Sequence, residues 1–405
     1  MKLTISGNKK ILSGEVLLTG SKSESNRALI IQSLCQEPLL LHNLSEAQDT
    51  VTLQKILQEK PVVANVGPAG TAMRFLAARL CLEPGEFVLT GSERMKQRPI
   101  GILVDALKTL GANIEYLEKD GFPPLKITGG TIKGRYTKMD GSVSSQFISA
   151  LCLIAPVLNN GLELEFIGEI ASKPYLDMTL DMMRYFGAEH QWNGQKLTIP
   201  HQTYQTESFT VEPDWSAASY WYALAALSEQ TEIKLPHLKK DSLQGDSVVA
   251  AIFEKLGVST RYQADGIVIK KKENYSPPAF VEIDCEKYPD LAQTFATTLA
   301  GLGIPGRLSG LKSLRIKETD RITALITELA KVGITATEKE GFVLEIAAGK
   351  LHAPTETIHT YEDHRMAMAF APLVLKVDTL SFDDASVVGK SYPGFWEHLK
   401  TLGVI

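Results

Sequence analysis

An amphipathic helical stretch that ends in glycine and runs on into a strand-like segment occurs five times in this chain. The copies are DALKTLGANIEY (Asp105–Tyr116), DMMRYFGAEHQW (Asp181–Trp192), AIFEKLGVSTRY (Ala251–Tyr262), TELAKVGITATE (Thr327–Glu338) and EHLKTLGVI (Glu397–Ile405). Their glycines, Gly111, Gly187, Gly257, Gly333 and Gly403, are 76, 70, 76 and 70 residues apart. Each stands where a helix takes a left-handed residue at its C-terminal end before the chain turns into a strand. One such glycine carries little information. Five in near-constant phase identify a duplicated supersecondary unit, so the fold is built by repetition.

A second series keeps the same phase. Short polar loops open into apolar helices near Ser23, Thr71, Ser145, Ser216, Asp290 and Asp363, at intervals of 48, 74, 71, 74 and 73. Ser, Thr and Asp are good N-caps, and stretches such as ALIIQSL, FISALCLIA, YWYALAAL and MAMAFAPLVL predict helices buried inside each domain. Strand-like runs such as EFVLTG, LELEFIG, IVIKK and TLSFDD alternate with them, which makes the fold α/β. Six units divide most simply into two domains of three. These are expected at 21–213 and at 1–20 plus 214–405, with the extended stretch Val211–Asp214 at the boundary and the strand MKLTISG in the second domain. The short first interval predicts that the first unit has lost part of its second helix and strand near Gln58–Val66.

The helix starts also gather charge. They read GSKSESNR (Gly20–Arg27), GPAGTAMR (Gly67–Arg74), GSVSSQ (Gly141–Gln146), EPDWSAAS (Glu212–Ser219), DCEKYPDLAQ (Asp284–Gln293) and YEDHRMAM (Tyr361–Met368). Between them lie SERMKQRP (Ser92–Pro99), RIKETDR (Arg315–Arg321) and VGKSYPG (Val388–Gly394). Helix N-termini expose unpaired N–H groups and a partial positive charge, so they bind anions. Lys22, Arg27, Arg74, Arg98, Lys317, Arg321, Arg365 and Lys390 add full charges. The chain as a whole has 42 basic and 47 acidic residues, a formal net charge of −5. Cations concentrated in a protein that is acidic overall point to a heavily anionic small molecule rather than to nucleic acid. Arginine suits carboxylate and phosphate because its planar fork pairs bidentately with both. Taken singly, each of these side chains reads as a solvated surface group, and Lys317, Glu318, Asp320 and Arg321 as an ordinary ion-pair ladder. Recurrence in phase is what argues otherwise. As cleft residues, Arg98 and Arg365 are expected to be exposed and to contribute little to folding.

Other chemistries find no support. Cys35, Cys81, Cys152 and Cys285 are scattered with no CxxC pair, which excludes a disulfide scaffold or zinc ribbon and fits a reducing compartment. The histidines lack metal-ligand spacing, so no metal is expected. Lys2, Lys9 and Lys10 are followed by an apolar stretch broken at Ser13, Gly14 and Glu15, unlike a signal peptide. No apolar run approaches about 18 residues. A cytoplasmic globular protein without a membrane partner is the expectation. GLGIPG (Gly301–Gly306) has dinucleotide-motif spacing, but no strand leads into it and Pro305 interrupts it, so it reads as a turn. GKS (Gly389–Ser391) is no P-loop, because Asp384 stands where the first glycine would have to be.

The motifs GSKSESNRAL, AGTAMR, ERMKQRPIG, DGSVSSQF, SKPYLDMT, YPDLAQ, RIKETDRI and YEDHRMAM, in this order over essentially the whole chain, resemble those of the enolpyruvyl transferases. The resemblance implies a two-domain inside-out α/β barrel of six βαβαββ units, three per domain. It also implies transfer of the enolpyruvyl group of phosphoenolpyruvate to the 5-hydroxyl of shikimate 3-phosphate with release of phosphate, by a monomer without a cofactor. By that likeness shikimate 3-phosphate is held by Lys22, Ser23, Arg27, Ser144, Ser145, Gln146, Ser172, Asp290, Ser313 and Lys317. Phosphoenolpyruvate lies against Lys22, Gly70, Arg98, Gln146, Arg321, Arg365 and Lys390. Asp290, Glu318 and Lys22 are the implied catalytic residues. Pro68, Phe75 and Ser313 depart from the common pattern of Asn, Pro and Asn at these places. The sister branch, which acts on UDP-N-acetylglucosamine, usually carries a reactive Cys in the loop before its Arg-Pro; here SERMKQRP has Glu93 and no Cys. A non-catalytic anion-binding protein on the same fold would have no need of the carboxylates Asp290 and Glu318.

Overall fold

The structure, a computed structural model, describes residues 1–7, 10–130, 132–142, 144–205 and 208–405. Lys9 and Val143 lie outside the described residues. The chain forms two compact units, Gly20–Val211 and Met1–Thr19 with Glu212–Ile405. The division falls at Thr19/Gly20 and Val211/Glu212.

Among the described residues, each unit holds three small sheets. In the first, Val63–Asn65 runs parallel to Gly85–Thr90, and the antiparallel strands Leu125–Gly129 and Asn113–Tyr116 complete the sheet. The same arrangement recurs with Tyr136–Asp140, Leu162–Ile167, Lys196–Ile199 and Gln191–Asn193. In the second unit it recurs with Ile11–Glu15, Gln230–Pro236, Gly266–Lys271 and Val258–Gln263. The fourth copy is Val281–Asp284, Gly306–Ser309, Val343–Ile346 and Ala336–Lys339. A helix joins each parallel pair, as a parallel crossover requires, except where the chain leaves for the first unit between Glu15 and Trp215 and returns.

The two remaining units are reduced. Ser208–Thr210 pairs in parallel with Leu40–His42 alone. The helix after it, Gln48–Glu59, is intact over 12 residues. The prediction of a truncated second helix is therefore corrected: what this unit lacks, among the described residues, is the antiparallel pair that closes the other sheets. Its place in the sequence is taken at once by Val63–Asn65, the first strand of the next unit. In the last unit Thr379–Phe382 pairs antiparallel with Leu3–Ser6, so the N-terminal strand closes a sheet begun near the other end of the chain. Its first strand shrinks to a single bridge between Ile358 and Phe382.

All five phased glycines have left-handed backbone, with φ of 98°, 83°, 87°, 87° and 69° at Gly111, Gly187, Gly257, Gly333 and Gly403. A Cβ there would be strained, so glycine is what lets each helix stop and the next strand begin. Asp363 caps its helix as predicted, whereas the other predicted starts are displaced slightly. The side chains that cap are Ser21, Ser144, Asp214 and Asp363, each accepting a backbone N–H of the first turn. The recurring polar residues Ser23, Ser145 and Ser216 therefore lie inside the first turn, beside the exposed N–H groups. The helices Trp215–Leu227, Ala292–Leu302 and His364–Phe370 are buried on nearly every side, which is why they read as continuous apolar runs. The turn falls at Gly303–Pro305, with Gly303 left-handed at the end of the helix that includes Gly301 and a strand starting at Gly306.

Candidate active site

In the unit Gly20–Val211, three helix starts carry the expected residues: Lys22–Leu34, Gly70–Leu80 and Ser145–Ile154. Lys22 and Ser23 are half-buried in the first turn behind the Ser21 cap. The Lys22 Nζ lies 3.3 Å from the carboxylate of buried Asp49, which begins the next helix. Arg27, one turn on, is only 2% exposed. Its guanidinium donates to Thr179 Oγ1 (2.7 Å), the Ser23 carbonyl (2.8 Å) and the Tyr175 carbonyl (3.0 Å). Burial pulls its pKa down to about 10, with Tyr175 and Glu24 acting in the opposite sense. Arg27 thus ties the Ser23 turn to the helix Lys173–Tyr185, whose preceding residue Ser172 is held in a left-handed conformation at φ 52°.

Phe75 is part of the same assembly. It is buried, and the Arg27 guanidinium lies 5.6 Å from its ring centre, a cation–π contact that a proline would not offer. Ser144 caps its helix by accepting the Gln146 N–H, Ser145 is buried in the first turn, and the Gln146 amide donates to Thr71 Oγ1 at 3.3 Å. Neither Thr71, at a predicted helix start, nor Tyr175 is a site residue by the sequence motifs. Arg74 turns back onto the Gly70 and Pro99 carbonyls.

Gly70 has no side chain for a steric reason. A Cβ there would lie 2.8 Å from Arg98 Nη1 and 3.1 Å from Nη2, and Arg98 is itself buried. Gly70→Ala is expected to displace that guanidinium, raising the KM for an anionic ligand of Arg98 by about tenfold or more while the melting temperature changes little. Steady-state kinetics with thermal melts on the same preparation check this; an unchanged KM would show that Arg98 does not meet the substrate.

The second unit holds an ion cluster. Arg321, which starts the helix Arg321–Lys331, is 1% exposed. Its Nε donates to Asp363 (2.7 Å), Nη2 to Glu318 (2.9 Å) and Nη1 to Asp290 (3.2 Å). Burial opposes its charge, but Asp363, Glu318 and Asp290 outweigh that and hold its pKa above the ordinary value. Asp290 also accepts from Arg365 at 2.9 Å and lies 3.5 Å from the Lys317 Nζ, while Glu318 accepts from Lys390 at 2.7 Å. Asp363 caps the helix that carries Arg365. The backbone before that cap, Tyr361 and Glu362, is left-handed at φ 54° and 56°. It is clamped by the buried carboxylate of Glu328, which accepts from the Tyr361 hydroxyl (2.6 Å) and the His359 N–H (3.0 Å).

The structure thus joins Asp290, Lys317, Glu318, Arg321, Arg365 and Lys390, and corrects one expectation about them. Arg98 and Arg365 are buried, not exposed, and Arg321 and Lys390 are buried too; Arg321, Arg365 and Lys390 are each paired with a carboxylate from another part of the sequence. Ser313 lies in the turn Lys312–Ile316, and no hydrogen bond links it to the cluster among the described residues. Nor do any three His, Cys, Asp or Glu side chains among the described residues form a group that could hold a metal ion. No helix among them is long and apolar enough to cross a membrane.

Behind Arg365 lies a buried acid that the sequence did not single out. Arg365 donates to Tyr220 OH (3.3 Å) and Ser216 Oγ (3.4 Å), and Ser216 in turn donates to Asp246. Burial, reinforced by the charge of Asp290, raises the Asp246 pKa from 3.8 to about 6. The ionised form is therefore penalised only in the folded protein. Its cost is absent below pH 4 and complete once the pH has risen through 6. Asp246→Asn is expected to raise stability at pH 8 by on the order of 2–3 kcal/mol, with the gain shrinking towards pH 5. Urea unfolding at the two pH values checks both size and direction.

Comparison with known proteins agrees with this arrangement of motifs. The family described as EPSP synthase (3-phosphoshikimate 1-carboxyvinyltransferase) matches residues 54–399. A Bacteroides fragilis protein named 3-phosphoshikimate 1-carboxyvinyltransferase is 49% identical over 390 residues, covering 96% of this chain and 95% of the relative. One of the same name from Sulfurovum sp. is 39% identical over 423 residues, covering 97% of each. The solved structure of EPSP synthase from Acinetobacter baumannii superposes with a TM-score of 0.81 over all of this chain and 98% of that one. At 21% identity that likeness speaks for the two-domain α/β fold. Family match, relatives and fold together place the chain in the EPSP synthase family.

Proposed function

We propose that the two constellations act on one pair of substrates, the chain transferring the carboxyvinyl group of phosphoenolpyruvate to the 5-hydroxyl of shikimate 3-phosphate and releasing phosphate. This is the transferase step of its family in the shikimate pathway, towards aromatic amino acids. The observation that carries the assignment of roles is the pair of carboxylates, Asp290 and Glu318, held by one buried guanidinium and each gripped by further cations.

The reaction needs an acid and a base at once. The 5-hydroxyl of shikimate 3-phosphate adds to C2 of the enol and loses its proton, while the methylene C3 gains one. Phosphate then leaves as C3 gives a proton back. Asp290 takes the hydroxyl proton in this reading, Glu318 serves C3, and Lys22 assists at the leaving group. Arg27, Ser23, Ser144, Ser145, Gln146, Ser172 and Lys317 hold shikimate 3-phosphate. Arg98, Arg321, Arg365, Lys390 and the backbone at Gly70 hold phosphoenolpyruvate. The cations offset repulsion between two multiply charged substrates and stabilise the departing phosphate. Asp290 and Glu318 pair with Lys317, Arg321, Arg365 and Lys390, so these four groups are held in place with their charge balanced. The chemistry asks only for acid, base and charge stabilisation, which the side chains supply without a cofactor. A monomer is the expected state, and sedimentation tests that.

The deciding experiment is phosphate release from phosphoenolpyruvate with shikimate 3-phosphate or UDP-N-acetylglucosamine as acceptor. Release with the first alone is expected. Release with the sugar nucleotide alone would overturn the assignment, and binding without release would mark a non-catalytic protein.

A further inference from the structure

Lys390 ends the short helix Ser386–Lys390, and the chain turns there because the Ser391 and Tyr392 N–H groups both return to the Val388 carbonyl. Two residues past Lys390, the Tyr392 side chain is almost wholly buried. Trp221 Nε1 lies 3.2 Å from its hydroxyl, and His398 Nδ1 lies 2.7 Å from it. Indole N–H only donates, so the phenol oxygen accepts from Trp221. The one phenol hydrogen is then left for His398, since leaving it unpaired in a buried place would cost the desolvation of a polar group. Nδ1 must therefore accept, which requires a neutral imidazole with its proton on Nε2.

We propose that Tyr392 and His398 are positioning residues for Lys390: a one-way hydrogen-bond chain from Trp221 through Tyr392 to neutral His398 fixes the turn that presents the Lys390 ammonium. A proton on Nδ1 turns that acceptor into a donor, evicts the phenol hydrogen and loosens the turn. Burial lowers the His398 pKa, with Glu397 on the same helix acting the other way, and burial raises that of Tyr392, with Asp214 adding to the rise. Both directions favour the neutral pair. The rings reinforce it: Phe395 meets Tyr392 at 5.6 Å and Tyr220 at 5.8 Å, and Tyr220 also receives Arg365. The inference rests on the reading that Lys390 binds phosphoenolpyruvate.

The test compares Tyr392→Phe, His398→Leu, His398→Asn and Lys390→Ala in the full chain, with nitrogen-15 NMR of His398 in the unsubstituted protein. Tyr392→Phe keeps the ring packing and removes only the link. It and His398→Leu are expected to raise the KM for phosphoenolpyruvate roughly threefold to tenfold, the scale of one neutral hydrogen bond, with kcat nearly unchanged. His398→Asn places an amide oxygen near the site of Nδ1. It should restore the KM and abolish the rise in KM that is expected of the unsubstituted protein as the pH falls from 7 to 5.5. The NMR spectrum should show a protonated Nε2 and a bare Nδ1. A raised KM in Lys390→Ala with no change in Tyr392→Phe and His398→Leu would overturn the proposal, as would a proton on Nδ1 at pH 7.5. An unchanged KM in Lys390→Ala would instead refute the binding role of Lys390, and the imidazole spectrum would then decide the chain by itself.

Discussion

Arg321→Ala should lose on the order of 3–5 kcal/mol of folding stability together with essentially all turnover. The guanidinium is 1% exposed and joins Asp290, Glu318 and Asp363. Removing it leaves three carboxylates close together, one of them fully buried, and uncompensated buried charge is among the most destabilising of single changes. Arg321→Lys should rescue little. One ammonium cannot present separate N–H groups in one plane to three acceptors. Urea unfolding followed by circular dichroism measures the stability change, and phosphate release measures turnover. Loss of turnover with full stability would mean that Asp363 and Glu318 find other partners when Arg321 is gone.

Glu318→Gln should separate chemistry from architecture. The side chain keeps its shape and one carbonyl oxygen for Arg321 or Lys390, so the fold and the binding of shikimate 3-phosphate should persist. It can neither give nor take the proton at C3, and general acid–base groups contribute about 10²–10⁴-fold in rate. A fall in kcat of that size, with shikimate 3-phosphate affinity within a factor of about three by calorimetry, is the expected result. Turnover within threefold of the unsubstituted protein would remove Glu318 from the mechanism and leave Asp290 to serve both protons.

Much of the architecture is legible without coordinates because it is local. A helix that must stop and turn into a strand needs a residue tolerant of positive φ, so Gly111, Gly187, Gly257, Gly333 and Gly403 mark the repeat directly. The fully buried helices show as unbroken apolar runs. The shortened first unit is harder to read. An interval in sequence tells how many residues are missing, but not whether a helix or a strand pair has gone, and the surviving helix Gln48–Glu59 shows that it was the strands. The N-terminal strand finds its partner Thr379–Phe382 only through the completed sheet.

The candidate site divides in the same way. The sequence alone determined which residue types stand at each helix start, because motif and cap are short-range patterns. Tertiary structure alone decided what those residues touch. Arg321 meets Asp363 across 42 positions and Asp290 across 31, and Arg27 lies over Phe75 and against Thr179. Arg365, which reads as an exposed cleft charge, is in fact buried and paired with Asp290. Asp246, Glu328 and His398 lie in none of the motifs, and Tyr392 stands in VGKSYPG without a role legible there; they enter only because packing brings them behind Arg365, Asp363 and Lys390. The physical reason is range: backbone conformation answers to neighbours a few residues away, whereas the charge, tautomer and exposure of a side chain answer to whatever separate repeats place around it.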